Sequence, residues 1–127
     1  MRTIVASIAG VLATVVLAAA AQGEDLTVPI VISPSTINLE SEGTWVTVHA
    51  EIDYSDVVGA TVTLNGITVK STFADNRGDL VAKFAVGDVR GIVEPGTAQL
   101  TLSGTTRDGD TFSGTDMVKV ISVQAKK

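Results

Sequence analysis

Trp45-Val46-Thr47-Val48-His49-Ala50-Glu51-Ile52 reads as a single strand, and it decides the class of the fold. Val46, Val48, Ala50 and Ile52 fall on one face; Trp45, Thr47, His49 and Glu51 fall on the other. Successive side chains of a strand point to opposite sides of its sheet, so alternation of this kind marks a β-strand rather than a helix. One apolar and one mostly polar face suits a sheet that covers a core and also meets water.

The same pattern extends in both directions. Val, Thr, Ile and Leu dominate the chain after Gly23, with Gly and Asp at intervals and no helical repeat. β-branched residues suit a pleated, half-buried surface. Strands are predicted over residues 26–32, 37–39, 44–52, 60–64, 67–73, 80–85, 97–106 and 111–121, or about seven once a short one is merged. Asn65-Gly66 and Asp108-Gly109 are hairpin turn signals, and Asp75-Asn76-Arg77-Gly78 is a third turn. Single helical turns are expected over residues 56–59 and 88–93. Pro29 removes a backbone donor, so the first strand is expected at a sheet edge or bent, and Pro34 ends it. Short strands with frequent turns predict an all-β antiparallel sandwich. Val46, Val48, Ala50, Ile52, Val62, Leu64, Val81 and Phe84 are its expected inward residues.

The front of the chain is different. Arg2 precedes an uncharged run, residues 3–21, that ends in Ala19-Ala20-Ala21 before Gln22. A basic start, an apolar stretch and a small-residue end make a secretory signal peptide. The organisation this predicts is a helical signal peptide over residues 1–21 and one sandwich domain over 22–127. An uncleaved membrane anchor is the competing possibility, since the run is about long enough to cross a bilayer. After cleavage no membrane segment is expected, and the destination is secreted, periplasmic or cell-surface. The chain has no cysteine, so neither a disulfide nor a cysteine-linked lipid is available. Its net charge is −5, and losing Arg2 with the leader makes the remainder more negative. That sign disfavours nucleic acid and anionic lipid as partners.

Several stretches resemble a recurrent exported module: Ile32-Ser33-Pro34-Ser35-Thr36-Ile37-Asn38-Leu39, Gly43-Thr44-Trp45-Val46-Thr47-Val48 and Thr61-Val62-Thr63-Leu64-Asn65-Gly66. Asp79-Leu80-Val81-Ala82-Lys83-Phe84 and Asp108-Gly109-Asp110-Thr111-Phe112-Ser113-Gly114-Thr115-Asp116 continue the likeness. It is similar to the modules of exported bacterial and archaeal proteins that often sit beside dockerin domains. The resemblance runs from about Ile32 to Ile121 and implies an immunoglobulin-like sandwich. In those modules the turn before the Asp-Leu-x-x-Lys-Phe strand is often longer, Asp-rich and of a calcium-loop type. Here Arg77 stands where a further acidic ligand would be wanted.

No constellation for catalysis emerges. His49 is the only histidine, no serine lies in a G-x-S-x-G turn, and a cysteine nucleophile is impossible. Asp53 with Asp56, Asp75 with Asp79, and Asp108 with Asp110 are turn neighbours, which aspartate's own turn chemistry explains. An enzyme is therefore not expected, and no catalytic or cofactor-binding residue is assigned. Asp75, Asn76 and Asp79 are the candidate calcium ligands, against turn capping as the simpler account. Trp45, with Tyr54, is the candidate ligand contact; core or rim packing is the favoured role for Trp45, because carbohydrate surfaces array several aromatics. The expected function is a non-catalytic structural or protein-interaction module that binds a protein partner, or itself, through edge strands, the first strand foremost. The alternative is a polysaccharide-binding module that uses Trp45. A leader that is cleaved gives a native protein whose mass corresponds to a start at or near Gln22; an intact Met1 in a membrane fraction establishes the anchor instead.

Overall fold

The computed structural model describes residues 23–41 and 43–123. The leader proposed for residues 1–21, Glu42 in the turn after the second expected strand, and the last four residues lie outside the described residues. The strands in chain order are β1 (Asp25–Thr27), β2 (Ile30–Ser33), β3 (Thr36–Asn38), β4 (Trp45–Asp53), β5 (Thr63–Leu64), β6 (Ile67–Thr68), β7 (Ser71–Ala74), β8 (Asp79–Ala85), β9 (Gly96–Thr105) and β10 (Thr111–Ile121). Two 3-10 turns, Tyr54–Asp56 and Gly59–Thr61, and one short helix, α1 (Val86–Arg90), complete the described elements. Among the described residues no helix is long and apolar enough to cross a membrane.

The strands form two sheets. Sheet 1 runs β1-β10-β9-β5-β6, with β3 also on β10; sheet 2 runs β2-β4-β8-β7. Ile32, Val48 and Phe84 from sheet 2 meet Leu64, Leu102 and Phe112 from sheet 1 in one buried cluster. The protein is thus an all-β sandwich. Its pairings are antiparallel except for two short parallel contacts, β1 and β3 against the last strand.

Two predicted strands prove to be sheet-switching segments. Residues 26–32 divide into β1 on sheet 1 and β2 on sheet 2, and the break falls at Val28-Pro29. Proline cannot donate to a ladder, so the chain leaves one sheet there and joins the other. It returns to sheet 1 as β3 after Pro34. The segment therefore both bends and lies at an edge. Residues 67–73 likewise divide into β6 on sheet 1 and β7 on sheet 2. Of residues 60–64, Ala60 and Thr61 belong to a 3-10 turn and only Thr63–Leu64 is strand.

The glycine echo Ser103-Gly104-Thr105 and Ser113-Gly114-Thr115 has a packing cause. Gly104 pairs with Phe112, and a Cβ on it would lie 2.6 Å from Cζ of that ring. A Cβ on Gly114 would collide with the Val28 carbonyl oxygen and lie 2.6 Å from Cγ2 of Ile30. Gly114 is thus the gap over which the chain crosses between sheets.

Of the expected core, Val46, Val48, Ala50, Val62, Leu64 and Phe84 are buried in it, and Ile52 is half-buried beside a register shift between Ala50 and Asp53. Val81 is a correction. It is only 1% exposed, yet it lies outside the core cluster, because Leu80, Ala82 and Phe84 take the inward positions of β8. Val81 is buried on the outer face of sheet 2.

Gly114→Ala should destabilise the protein by about 1–3 kcal/mol, the usual cost of overpacking. Gly43→Ala, where the nearest atom to a new Cβ is Ser41 Oγ at 3.7 Å, should leave stability nearly unchanged. Urea unfolding of both variants checks this; equal midpoints would mean the crossing is loose.

Candidate functional site

The two outer faces differ in chemistry. On sheet 1, Thr101, Ser103 and Thr105 pair in register with Thr115, Ser113 and Thr111. Three of these six hydroxyls are bonded within the framework: Thr101 Oγ1 and Thr115 Oγ1 are 3.1 Å apart, and the Thr111 hydroxyl donates to the Asp25 carboxylate. Outer His49 belongs to sheet 2, so this hydroxyl field and the only histidine lie on opposite faces of the sandwich.

On sheet 2 the register sets Val31, His49, Val81 and Phe73 in one row across four strands. The next row carries Ser33, Thr47, Lys83 and Ser71, and beyond it Trp45 lies opposite Ala85. Val31 is 61% exposed, while Trp45 and Phe73 are each 43% exposed. Lys83 Nζ sits 5.8 Å from the centroid of the Trp45 ring and 5.6 Å from that of Phe73. An ammonium within about 6 Å of a ring face is attracted by the ring quadrupole. One lysine thereby links two exposed aromatics that are far apart in sequence.

Trp45 does not sit in the core: it stands on the solvent face at the start of β4. Alternation is the cause, since inward Val46 forces its neighbour outward. Tyr54 does not join it. It follows the far end of the nine-residue β4, about 30 Å of extended chain away, and it packs against the core. Phe73 and Lys83 complete the patch and were not singled out in the sequence. Pairing Asp75 with Asp79 across the turn would have brought Phe73 opposite Val81 and Ser71 opposite Lys83. Treating residues 67–73 as one strand placed Phe73 in the wrong sheet.

The calcium candidates are occupied by a turn. Asp75 N–H donates to the Asp79 carbonyl at 2.9 Å, and Gly78 N–H donates to the Asp75 carbonyl at 2.9 Å. Gly78 has φ +87°, which completes a three-residue hairpin loop closed by a left-handed glycine. Asp75 Oδ1 accepts from Arg77 N–H at 2.8 Å and from Asp79 N–H at 3.0 Å. The turn at Thr106 is built the same way, with Thr106 Oγ1 accepting from Asp110 N–H at 3.0 Å and Gly109 at φ +93°. A threonine hydroxyl filling the position of the Asp75 carboxylate identifies that position as a turn cap. Asp79 Oδ2 meets Arg77 at 3.3 Å, an exposed pair of small energetic weight. Among the described residues, no group of three or more His, Cys, Asp or Glu is arranged to hold a metal ion.

The backbone N–H groups of Asp79 and Arg77 lower the pKa of Asp75 from its ordinary 3.8. A carboxylate with a depressed folded pKa contributes stability above its unfolded pKa and loses it as pH falls through the folded value. Asp75→Asn keeps an oxygen acceptor and removes the charge. It should flatten the loss of stability below about pH 4, as read from melting temperature against pH. Added calcium should leave the melting temperature of the unaltered chain unchanged; a rise that Asp79→Ala abolishes would restore the metal site.

No family model matches the chain, and no curated protein or solved structure matches it significantly.

Proposed function

We propose that this chain is an exported, non-catalytic, immunoglobulin-like module that makes protein contacts in the cell envelope or extracellular space. The outer face of sheet 2 carries this proposal: Val31, Trp45 and Phe73 are exposed there around Lys83, whereas the outer face of sheet 1 is hydroxyl-rich. Exposed aromatics gathered on one face are characteristic of contact surfaces, where Trp and aromatic anchors carry much of the binding energy. The uncharged run over residues 3–21 and the small residues before Gln22 support export. The immunoglobulin-like assignment draws on the two facing, mostly antiparallel sheets and on an N-terminal segment divided between them.

Carbohydrate binding is a second role, favoured by one observation. Trp45 is exposed and is joined on its face by Phe73, so two rings and the Lys83 ammonium could meet a sugar chain. The two roles separate in one pair of measurements. Capture of a partner from the native envelope, weakened about tenfold or more by Trp45→Ala, supports the protein contact. Retardation in a polysaccharide affinity gel that Trp45→Ala abolishes transfers the assignment to carbohydrate. A chain that does neither loses both.

A further inference from the structure

We propose that the outer face of sheet 2 binds an acidic polysaccharide, a uronate-rich glycan whose carboxylate meets Lys83 beside the rings of Trp45 and Phe73. This rests on the carbohydrate role above and deepens it by naming the class of sugar.

Charge on this face is sorted by row. The chain is acidic, with a net charge of −5, yet the row of Ser33, Thr47, Lys83 and Ser71 holds no carboxylate. A bulge adds a second lysine at the end of that row: Lys70 N–H donates to the Lys83 carbonyl at 2.8 Å where Ser71 also lies opposite Lys83. Among the described residues Arg77 with Asp79 is the one ion pair, so neither lysine has a carboxylate partner there. Glu51, Asp75 and Asp79 gather instead around a small depression beside His49, at the hairpin end of the face. Asp79 and Lys83 are at opposite ends of Asp79-Leu80-Val81-Ala82-Lys83, about 13 Å of strand. That exceeds the Debye length of about 8 Å at physiological salt. The lysine end is therefore a local cationic site on an acidic protein.

Lys83 also disfavours a neutral ligand. Its ammonium is 5.8 Å from the centroid of the Trp45 ring and 5.6 Å from that of Phe73, so it stands over faces on which a sugar would stack. A neutral sugar laid there covers the ammonium without a counter-charge, and burying an unpaired charge is costly. A uronate carries its carboxylate on the sugar ring, so one unit supplies both the stacking surface and the charge-assisted bond. Both rings lie within 6 Å of one ammonium, so two linked sugar units reach both.

The hydroxyls favour a glycan over an acidic peptide. Ser33 and Ser71 are exposed and Thr47 is half-buried, and among the described residues no hydrogen bond engages their side chains. On sheet 1, by contrast, Thr101 bonds Thr115 and Thr111 bonds Asp25. The unengaged hydroxyls flank Lys83 at the spacing of neighbouring strands, about 4.8 Å. A chain with hydroxyls on every unit can pair with each of them, whereas a peptide lying there leaves some covered and unsatisfied.

The test uses the full chain, expressed with its own N-terminal segment, in affinity electrophoresis. The gels contain polygalacturonate, alginate or hyaluronan, an esterified form of each, neutral hydroxyethylcellulose, or poly-glutamate. The expected result is retardation by at least one of the three uronate polymers, lost on esterification and weaker with poly-glutamate. The dissociation constant for that polymer should rise about tenfold or more in Trp45→Ala and in Lys83→Met. Lys83→Arg keeps the charge and should retain most of the binding, and Thr115→Ala, on the opposite face, should leave it unchanged. Trp45 and Lys83 both stand on the outer face, and an unchanged circular dichroism spectrum checks that their variants fold. Binding that survives esterification, or that is indifferent to Lys83→Met, overturns the acidic class, as does retardation by hydroxyethylcellulose alone; in these cases the carbohydrate role stands. Retardation by poly-glutamate as strong as by any uronate polymer overturns the proposal in favour of a protein partner's carboxylates. No retardation in any gel removes the acidic class and the carbohydrate role together.

Discussion

The architecture depends on an absent side chain. At Gly114 the Val28 carbonyl oxygen occupies the space a Cβ would need, and the chain uses that space to pass from sheet 1 to sheet 2. The last strand therefore dictates the path of the first segment. Val28 N–H bonds the Ser113 carbonyl just before the crossing, and Asp116 takes Ile32 N–H just after it. Three successive inward positions of β10, Phe112, Gly114 and Asp116, act as filler, gap and clamp. Close packing makes this placement strict, since interiors tolerate neither a missing nor an added methyl group cheaply.

Closing one flank this way leaves the opposite flank unlike it. Where the N-terminal segment is stitched into both sheets, the edge of sheet 2 carries a carboxylate clamp and prolines on either side. On the far flank the chain also switches sheets, between β6 and β7, but only Val69 and Lys70 separate those strands. What lies against β7 comes from elsewhere in the chain: a Cβ on Gly59 would lie 2.8 Å from Thr72 Oγ1. The asymmetry thus originates in connection length and proline position rather than in any dedicated binding loop.

The strand pattern was legible in the sequence because alternation and turn chemistry are local. Val46 to Ile52, the Asn65-Gly66 turn with Asn65 at φ 47° and Gly66 at φ 86°, and the last hairpin all followed from neighbours within a few residues. Sheet membership was not legible, because it depends on what lies opposite. Residues 67–73 look like one continuous strand, and only tertiary pairing divides them. That single error hid Phe73 from the Trp45 surface. Val81 was misplaced for a related reason: two adjacent buried residues on one strand, Leu80 and Val81, give no sign of which faces the core. The turn aspartates are a different case. Acidic spacing suggested ligands, but a carboxylate at the first position of a tight turn is already committed to backbone donors.

Lys83 explains how an exposed aromatic face stays compatible with a well-behaved surface. It lies two residues beyond Val81 on the same outer face of β8, and its ammonium lies within 6 Å of the ring centroids of both Trp45 and Phe73. A lysine stem can lie over apolar surface while its charge remains in water. Placed here, the charge interrupts what would otherwise be a continuous apolar patch, and the attraction to each ring face favours rings that stand apart rather than collapse onto one another. On the proposed contact role, a surface held open in this way would have less to order on binding. A single cation at the centre also biases what can dock: a partner bringing a carboxylate or hydroxyl above Lys83 gains a contact, whereas one bringing a second ammonium meets an uncompensated like charge.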